Sequence, residues 1–210
     1  MQPNVKATFR EVTDALAELG LTPDILNDAI LRGETARDSC TANDPPNAPG
    51  FYSWAGTVRA LRDILVPLGW VRNDDVNYSR IVNEVLNIAI AVVTGDEATG
   101  NRDFSPKTKY PKGPATQAAV TLNQDSLFGS SSAPTEGETE NNRITWMLLR
   151  KRNGDTVYAE LSLPSLMSKD GQVERWESRI ILEPMTFDPL IDVGEDSSEP
   201  PIDVLVRRRS

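Results

Sequence analysis

The chain of 210 residues predicts an α+β fold: an N-terminal layer of helices packed on a C-terminal antiparallel β-meander, with one additional buried strand between them. Three observations predict it. Apolar residues recur at three- and four-residue spacing from Phe9 to Leu65. The run NIAIAVVT, residues 87–94, is rich in β-branched residues and lacks polar alternation, as a strand buried on both faces requires. From Ile144 onward, alternating runs flank Asn153-Gly154, the strongest short hairpin signal.

In TFREVTDALAELG, Phe9, Val12, Leu16 and Leu19 form one face, with Thr8 before and Gly20 after as cap signals. Thr22 and Pro23 then supply an N-cap and a first-turn proline to a second helix striped by Ile25, Leu26, Ile30 and Leu31. The short connection predicts that these two helices pack as a hairpin. TANDPPNAPGF, with its three prolines, reads as a loop. A third helix follows from a Ser53 cap, with Trp54, Val58, Leu61, Ile64 and Leu65 on its buried side and Arg59, Arg62 and Asp63 facing solvent. Pro67 and Gly69 end it.

Asn73 to Asn77 is a turn signal, and residues 80–86 fit either a helix or a strand. Residues 96–114 form a long connection, and PATQAAVTLNQDSLFG, from Pro114 to Gly129, a short helix. Residues 129–142, poor in apolar groups and rich in Ser, Glu, Gly and Thr, read as a flexible, solvated loop. A two-residue turn at Asn153-Gly154 pairs Leu148 with Ala159, Trp146 with Leu161 and Ile144 with Leu163 on one face. Lys169-Asp170-Gly171 turns the chain into a third strand, whose apolar positions are Val173, Ile180 and Leu182. Residues 1–187 are expected to form one domain, and residues 188–210 an acidic tail ending in an edge-strand segment.

Composition narrows the chemistry. Histidine is absent, which removes Ser-His-Asp and Cys-His catalysis and histidine-bound zinc. One cysteine, Cys40, removes internal disulfides and cysteine-rich metal sites, and its neighbours Asp38 and Asp44 make it a poor nucleophile. No apolar run approaches the ~20 residues of a membrane span, and the first residues carry no signal-peptide pattern. A cytoplasmic protein with no membrane association is expected. The net charge of −9 makes broad nucleic-acid binding unfavourable. Residues 102–112 run against that charge, with Arg102, Lys107, Lys109 and Lys112 against Asp103.

The segment from Thr94 to Thr116 is the leading ligand candidate. It leaves the carboxyl end of a buried strand, where open α/β sheets bind ligands. Asp96, Glu97, Thr99, Lys107, Lys109, Lys112 and Thr116 are its candidate binding residues, the lysines lying ahead of a helix N-terminus that favours anions. Asp96, Glu97 and Asp103 have the hard oxygen donors that Mg²⁺ takes. Against this, neither a Walker-type nor a dinucleotide-type glycine pattern is present. Glu160, Glu174 and Glu177 read as solvent-face carboxylates of the meander. In the tail, Val204 and Val206 with Arg207, Arg208 and Arg209 form a candidate partner-binding strand.

Three functions are compatible with these features. The first is a non-catalytic accessory or regulatory protein that needs no cofactor and binds a protein partner through its acidic surface and tail. The second is a phosphate-ligand-binding or Mg²⁺-dependent enzyme using residues 94–116. The third is an acidic inhibitor that imitates nucleic acid.

Overall fold

Thr8 opens the first helix, α1 (Phe9–Glu18), through a reciprocal capping box in which its hydroxyl accepts from the Glu11 amide and the Glu11 carboxylate accepts from the Thr8 amide. Thr22 caps α2 (Pro23–Asp38) with a single bond, its hydroxyl accepting from the Ile25 amide at 3.3 Å. In the computed structural model, which describes residues 3–128 and 143–187, two further helices follow, α3 (Ala48–Leu65) and α4 (Pro114–Phe128). The expected loop at 129–142 and the tail at 188–210, with Val204, Val206 and Arg207 to Arg209, lie outside the described residues.

Eight strands form one mixed sheet: β1 (Asn4–Lys6), β2 (Val71–Asn73), β3 (Arg80–Asn83), β4 (Ile88–Thr94), β5 (Ile144–Asn153), β6 (Thr156–Met167), β7 (Val173–Ile181) and β8 (Met185–Thr186). The order is β1-β7-β6-β5-β4-β3-β2, and β8 pairs with β6. The α+β class and the antiparallel β5–β6–β7 meander are as the sequence predicts. Two parallel contacts were not legible: β4 runs parallel to β5, and β1 parallel to β7. The ambiguous stretch resolves into β3, followed by a turn in which Asn87 takes a positive φ of 52°.

The meander register is displaced from expectation. Leu148 faces Leu161 and Asn153 faces Thr156, so the turn residues are Gly154 and Asp155. Gly154 takes the left-handed φ of 58° at the first central position, which is where a glycine serves a tight hairpin. Because the slip moves each pairing by two residues, Trp146, Leu148, Ala159 and Leu161 still share one buried face.

That face carries the main core. Leu16, Leu26, Ile30, Leu61 and Leu65 from α1–α3 meet Ile90, Leu148, Leu161 and Ile180 from the sheet. Phe9 and Leu31, placed on buried stripes by spacing alone, are 73% and 46% exposed. The other face is covered as well: α4 and the long connection pack Val120 against Val93, Met147, Leu149 and Trp176. The molecule is therefore layered α/β/α around its sheet. Asn123 of α4 fixes this second layer, its amide donating to Thr145 O at 2.9 Å and Pro164 O at 3.1 Å while accepting from Thr145 N at 2.9 Å. Pro164 sits at a bulge in β6, where the ladder leaves these groups free.

Helix α3 starts before Ser53. Asn47 to Gly50 already belong to its beginning, with Pro49 tolerated in the first turn because that amide has no intrahelical acceptor. Ser53 is fully buried inside the helix. The intimate helix pair is α2 with α3 rather than α1 with α2. Glycine is the reason: a Cβ on Gly33 would stand 2.0 Å from Thr57 Oγ1 and 2.7 Å from the Ser53 carbonyl oxygen, and one on Gly56 would stand 3.0 Å from Gly33 Cα. Alanine ordinarily gains about 1 kcal/mol over glycine inside a helix, but overpacking against a backbone atom costs roughly 1–3 kcal/mol. Gly33→Ala is thus expected to destabilise the chain in urea denaturation. Gly50→Ala, whose Cβ would meet nothing within 4 Å, should be neutral or stabilising in the same assay. A Gly33→Ala protein more stable than wild type would contradict the close approach.

Arg62, placed on the outer face of the third helix by its spacing, is drawn inward. It donates to Asp74 Oδ1 at 2.6 Å and to the Arg80 carbonyl at 3.1 Å, which ties α3 to the β2–β3 hairpin. The bonds from Arg62 and Ser79 hold the Asp74 carboxyl below its usual pKa. No helix among the described residues is long and apolar enough to cross a membrane.

Candidate anion-binding cleft

The long connection between β4 and α4 is stitched to the sheet along its length. Gly95 bridges to Thr108, Lys109 N donates to Thr94 O at 2.9 Å, and Trp176 Nε1 donates to Pro106 O at 2.7 Å. Beneath it lies a buried ion pair. Arg179 and Glu160 are 1% and 0% exposed, with Arg179 Nε donating to Glu160 Oε1 at 3.0 Å and Nη2 closing the second bond of the fork. Arg179 also donates to the carbonyls of Phe104 and Asn101, each at 2.9 Å, and Glu160 accepts from Gly100 N at 3.0 Å. Glu160 is therefore no solvent-face carboxylate; its polar position on an alternating strand is satisfied by a cation two strands' length away in sequence. Glu174 does reach the surface and pairs with Lys107 at 3.0 Å.

This stitching separates the expected ligand residues. Asp96 Oδ1 accepts from Ala98 N at 3.1 Å, forming a local turn. Glu97 pairs with Lys151 at the mouth of a small hollow that Thr99 also lines. Asp103 is exposed, and no group of three or more acidic or cysteine side chains able to hold a metal ion occurs among the described residues. Lys107 is engaged by Glu174. Lys112 is half-buried, which lowers its ammonium pKa, and its amide donates to Gly171 O at 2.8 Å. Thr116 is buried in the first turn of α4. Only Lys109 enters the larger cleft described next.

That cleft, of about 640 Å³, lies off the carboxyl ends of the parallel pair β4–β5. Thr94 ends one strand, and Arg150, Lys151 and Arg152 come from the end of the other. Arg37 reaches in from the last turn of α2, Lys109 and Tyr110 from the long connection, and Asn47, Gly50 and Phe51 from the start of α3. Five cationic residues line it and no acidic one does, in a chain whose net charge is −9.

The carboxylates stand behind the wall. Glu34, 1% exposed, accepts from Ser53 Oγ at 2.6 Å, Arg150 Nη1 at 3.1 Å and Arg152 Nη1 at 3.3 Å, and lies 3.9 Å from Arg37 Nε. Asp38 accepts from Arg152 at 2.6 Å, and Ser53 Oγ accepts from Arg150. With Glu97 on Lys151, three carboxylates face five cations, which leaves two positive charges over. Arg150 is paired with Glu34 yet holds the unsatisfied donors. The residue is 5% exposed, and its Nε and Nη2 have no hydrogen-bond partner among the described residues. Burial lowers the guanidinium pKa, with repulsion from Arg37 adding to it and Glu34 opposing it. Unpaired buried donors of this kind cost about 1–3 kcal/mol each unless an acceptor arrives.

The start of α3 adds to the field. No side chain caps it and no acidic residue occupies its first turn, so no carboxylate offsets the positive end of the helix dipole there, although the Ala48 amide already donates to Pro45 O at 2.9 Å and Pro49 has none. The arrangement supplies hydrogen-bond donors and positive potential, the two things an oxyanion needs.

Comparison with protein-family models, with curated proteins and with solved structures gives no match for this chain.

The sequence signal for this cleft is the basic run at residues 150–152. Arg-Lys-Arg is the densest basic run within the described residues, and alternation along β5 puts Arg150 and Arg152 on the same face as Leu148, toward α2 and α3. Cys40 is a free, partly buried thiol whose pKa is raised, first by burial and then by Asp44, and it plays no part in the cleft.

Proposed function

We propose that this chain is a non-catalytic accessory or regulatory protein that captures a phosphate-bearing ligand in the cleft between β5, α2 and α3. The observation that supports this reading is the acid-free lining of five cationic residues, which include Arg150, a nearly buried guanidinium with two unpaired donors. A phosphate provides several strong acceptors and the counter-charge together. Binding without turnover fits the lining: it offers positive charge and donors, and its nearest carboxylates, Glu34 and Asp38, are already held by arginines and unavailable as bases. The net negative charge elsewhere favours a compact ligand over a long polyanion, whose flanks the acidic surface would repel. A protein partner and a cytoplasmic setting complete the reading.

Calorimetric titration of the chain with inorganic tripolyphosphate tests it. Saturable binding that weakens as salt rises is expected. Lys109→Gln and Arg37→Gln, which alter side chains at the cleft's open edge, should each weaken it by roughly 5-fold without unfolding the protein. Absence of any heat or thermal stabilisation with tripolyphosphate at low salt would remove the reading.

A further inference from the structure

The cleft is much larger than an inorganic phosphate fills and falls within the ~300–1,000 Å³ range of organic-ligand sites. Its remaining lining includes two aromatic rings. Phe51 and Tyr110 reach it from two different elements and are 58% and 56% exposed. Phe51 has Tyr52 and Trp54 as ring neighbours, with centroids 5.9 Å away in each case, and Trp54 is itself anchored by an indole bond to Val92 O at 3.2 Å. A ring steadied by neighbouring rings and still more than half exposed offers a surface for stacking. Tyr110 carries Lys109 Nζ 5.3 Å from its centroid, so cation and π-face are presented together. Leaving two aromatic rings exposed is unfavourable in water and gains its meaning from what covers them.

Resting on the anion reading above, we infer that the ligand is a nucleotide, its phosphates held by Arg150, Arg37 and the start of α3 and its base stacked on Phe51 or Tyr110. Basic side chains interleaved with exposed aromatic rings recognise a base and its phosphate together, and stacking tolerates any base because each has a π-face. The cleft's enclosure between α2, α3 and the long connection, in a chain of net charge −9, favours a free mononucleotide over a strand passing through.

The test compares ATP with tripolyphosphate on the full chain, without divalent ions, in wild type and in Phe51→Ala and Tyr110→Ala. Both rings are more than half exposed, so neither substitution removes a core contact. ATP is expected to bind about 10- to 100-fold more tightly than tripolyphosphate, the range that base stacking supplies. At least one alanine variant should erase that advantage, costing ATP far more affinity than it costs tripolyphosphate. Equal binding of the two ligands, or equal losses for both in the alanine variants, overturns the nucleotide assignment and leaves the anion site standing. Failure of both ligands to bind overturns the anion site as well. A short single-stranded oligonucleotide that binds far more tightly than ATP overturns the mononucleotide assignment in favour of a nucleic-acid strand.

Discussion

Arg179→Ala is expected to lower stability by about 3–5 kcal/mol, the cost of stranding one partner of a buried ion pair. Glu160 would be left fully buried with only Ser162 Oγ at 2.8 Å and Gly100 N as donors, and its charge would have no counter-ion. For a chain of this size that corresponds to a fall of roughly 6–20 °C in melting temperature. It is also a large share of the ~5–15 kcal/mol total stability of an ordinary domain. Arg179→Lys should recover little, because an ammonium cannot form the fork to Glu160 and serve the Phe104 and Asn101 carbonyls at once. The damage should also spread to the cleft: hydrogen exchange at Gly100 and along residues 95–110 should quicken, and tripolyphosphate should bind more weakly because Lys109 sits on that loosened segment. A melting temperature within 2–3 °C of wild type, where a surface pair belongs, would show that this pair does not anchor the connection.

Glu34→Ala should separate stability from binding. Removing the carboxylate strips Arg150 of its one counter-charge among the described residues, again at about 3–5 kcal/mol. Arg152 keeps Asp38, so the loss falls mainly on Arg150 and Ser53. The same deletion raises the positive charge of the cleft, because Glu34 competes with any incoming anion for Arg150. The variant should therefore be less stable alone yet bind tripolyphosphate more tightly than wild type. Ligand should also raise its melting temperature more, since stabilisation grows with the logarithm of ligand concentration over the dissociation constant. Thermal shift and calorimetry measure the two effects independently. A variant destabilised to this degree but binding no better would mean that Arg150 serves the fold and not a ligand.

The elements themselves were largely legible. Thr8 and Thr22 mark helix starts because their hydroxyls cap free amides a few residues on, a rule that operates within one turn. The β-branched run at 88–94 became a strand buried on both faces for a reason equally local. Errors arose where a partner distant in sequence mattered. The third helix extends back to Ala48 although prolines punctuate that stretch, because Gly33 and Gly56 let α3 lie close on α2 and Pro49 falls in the one turn that needs no amide. The hairpin slipped by two residues because glycine, not asparagine, took the first turn position. Of the ligand residues read from 94–116, Lys109 alone lines the cleft, since backbone bonds between that connection and β7 spread its other side chains apart.

The amino-acid sequence alone determined the class, the helices, the buried strand β4 and the β5–β6–β7 meander, because periodicity reports a residue's orientation on its own element, whereas the short strands β1, β2 and β8 carry no such pattern. Only the tertiary structure decided which charges are buried and which are brought together. Glu34 meets Arg150 across 116 positions of chain. The cleft draws on α2, α3, the long connection and β5, which are joined by the parallel pairing of β4 with β5 and the glycine contact of α2 with α3. A charged residue in isolation is best hydrated and so reads as surface; it is buried when a distant partner replaces the water, and no local pattern records where that partner will be.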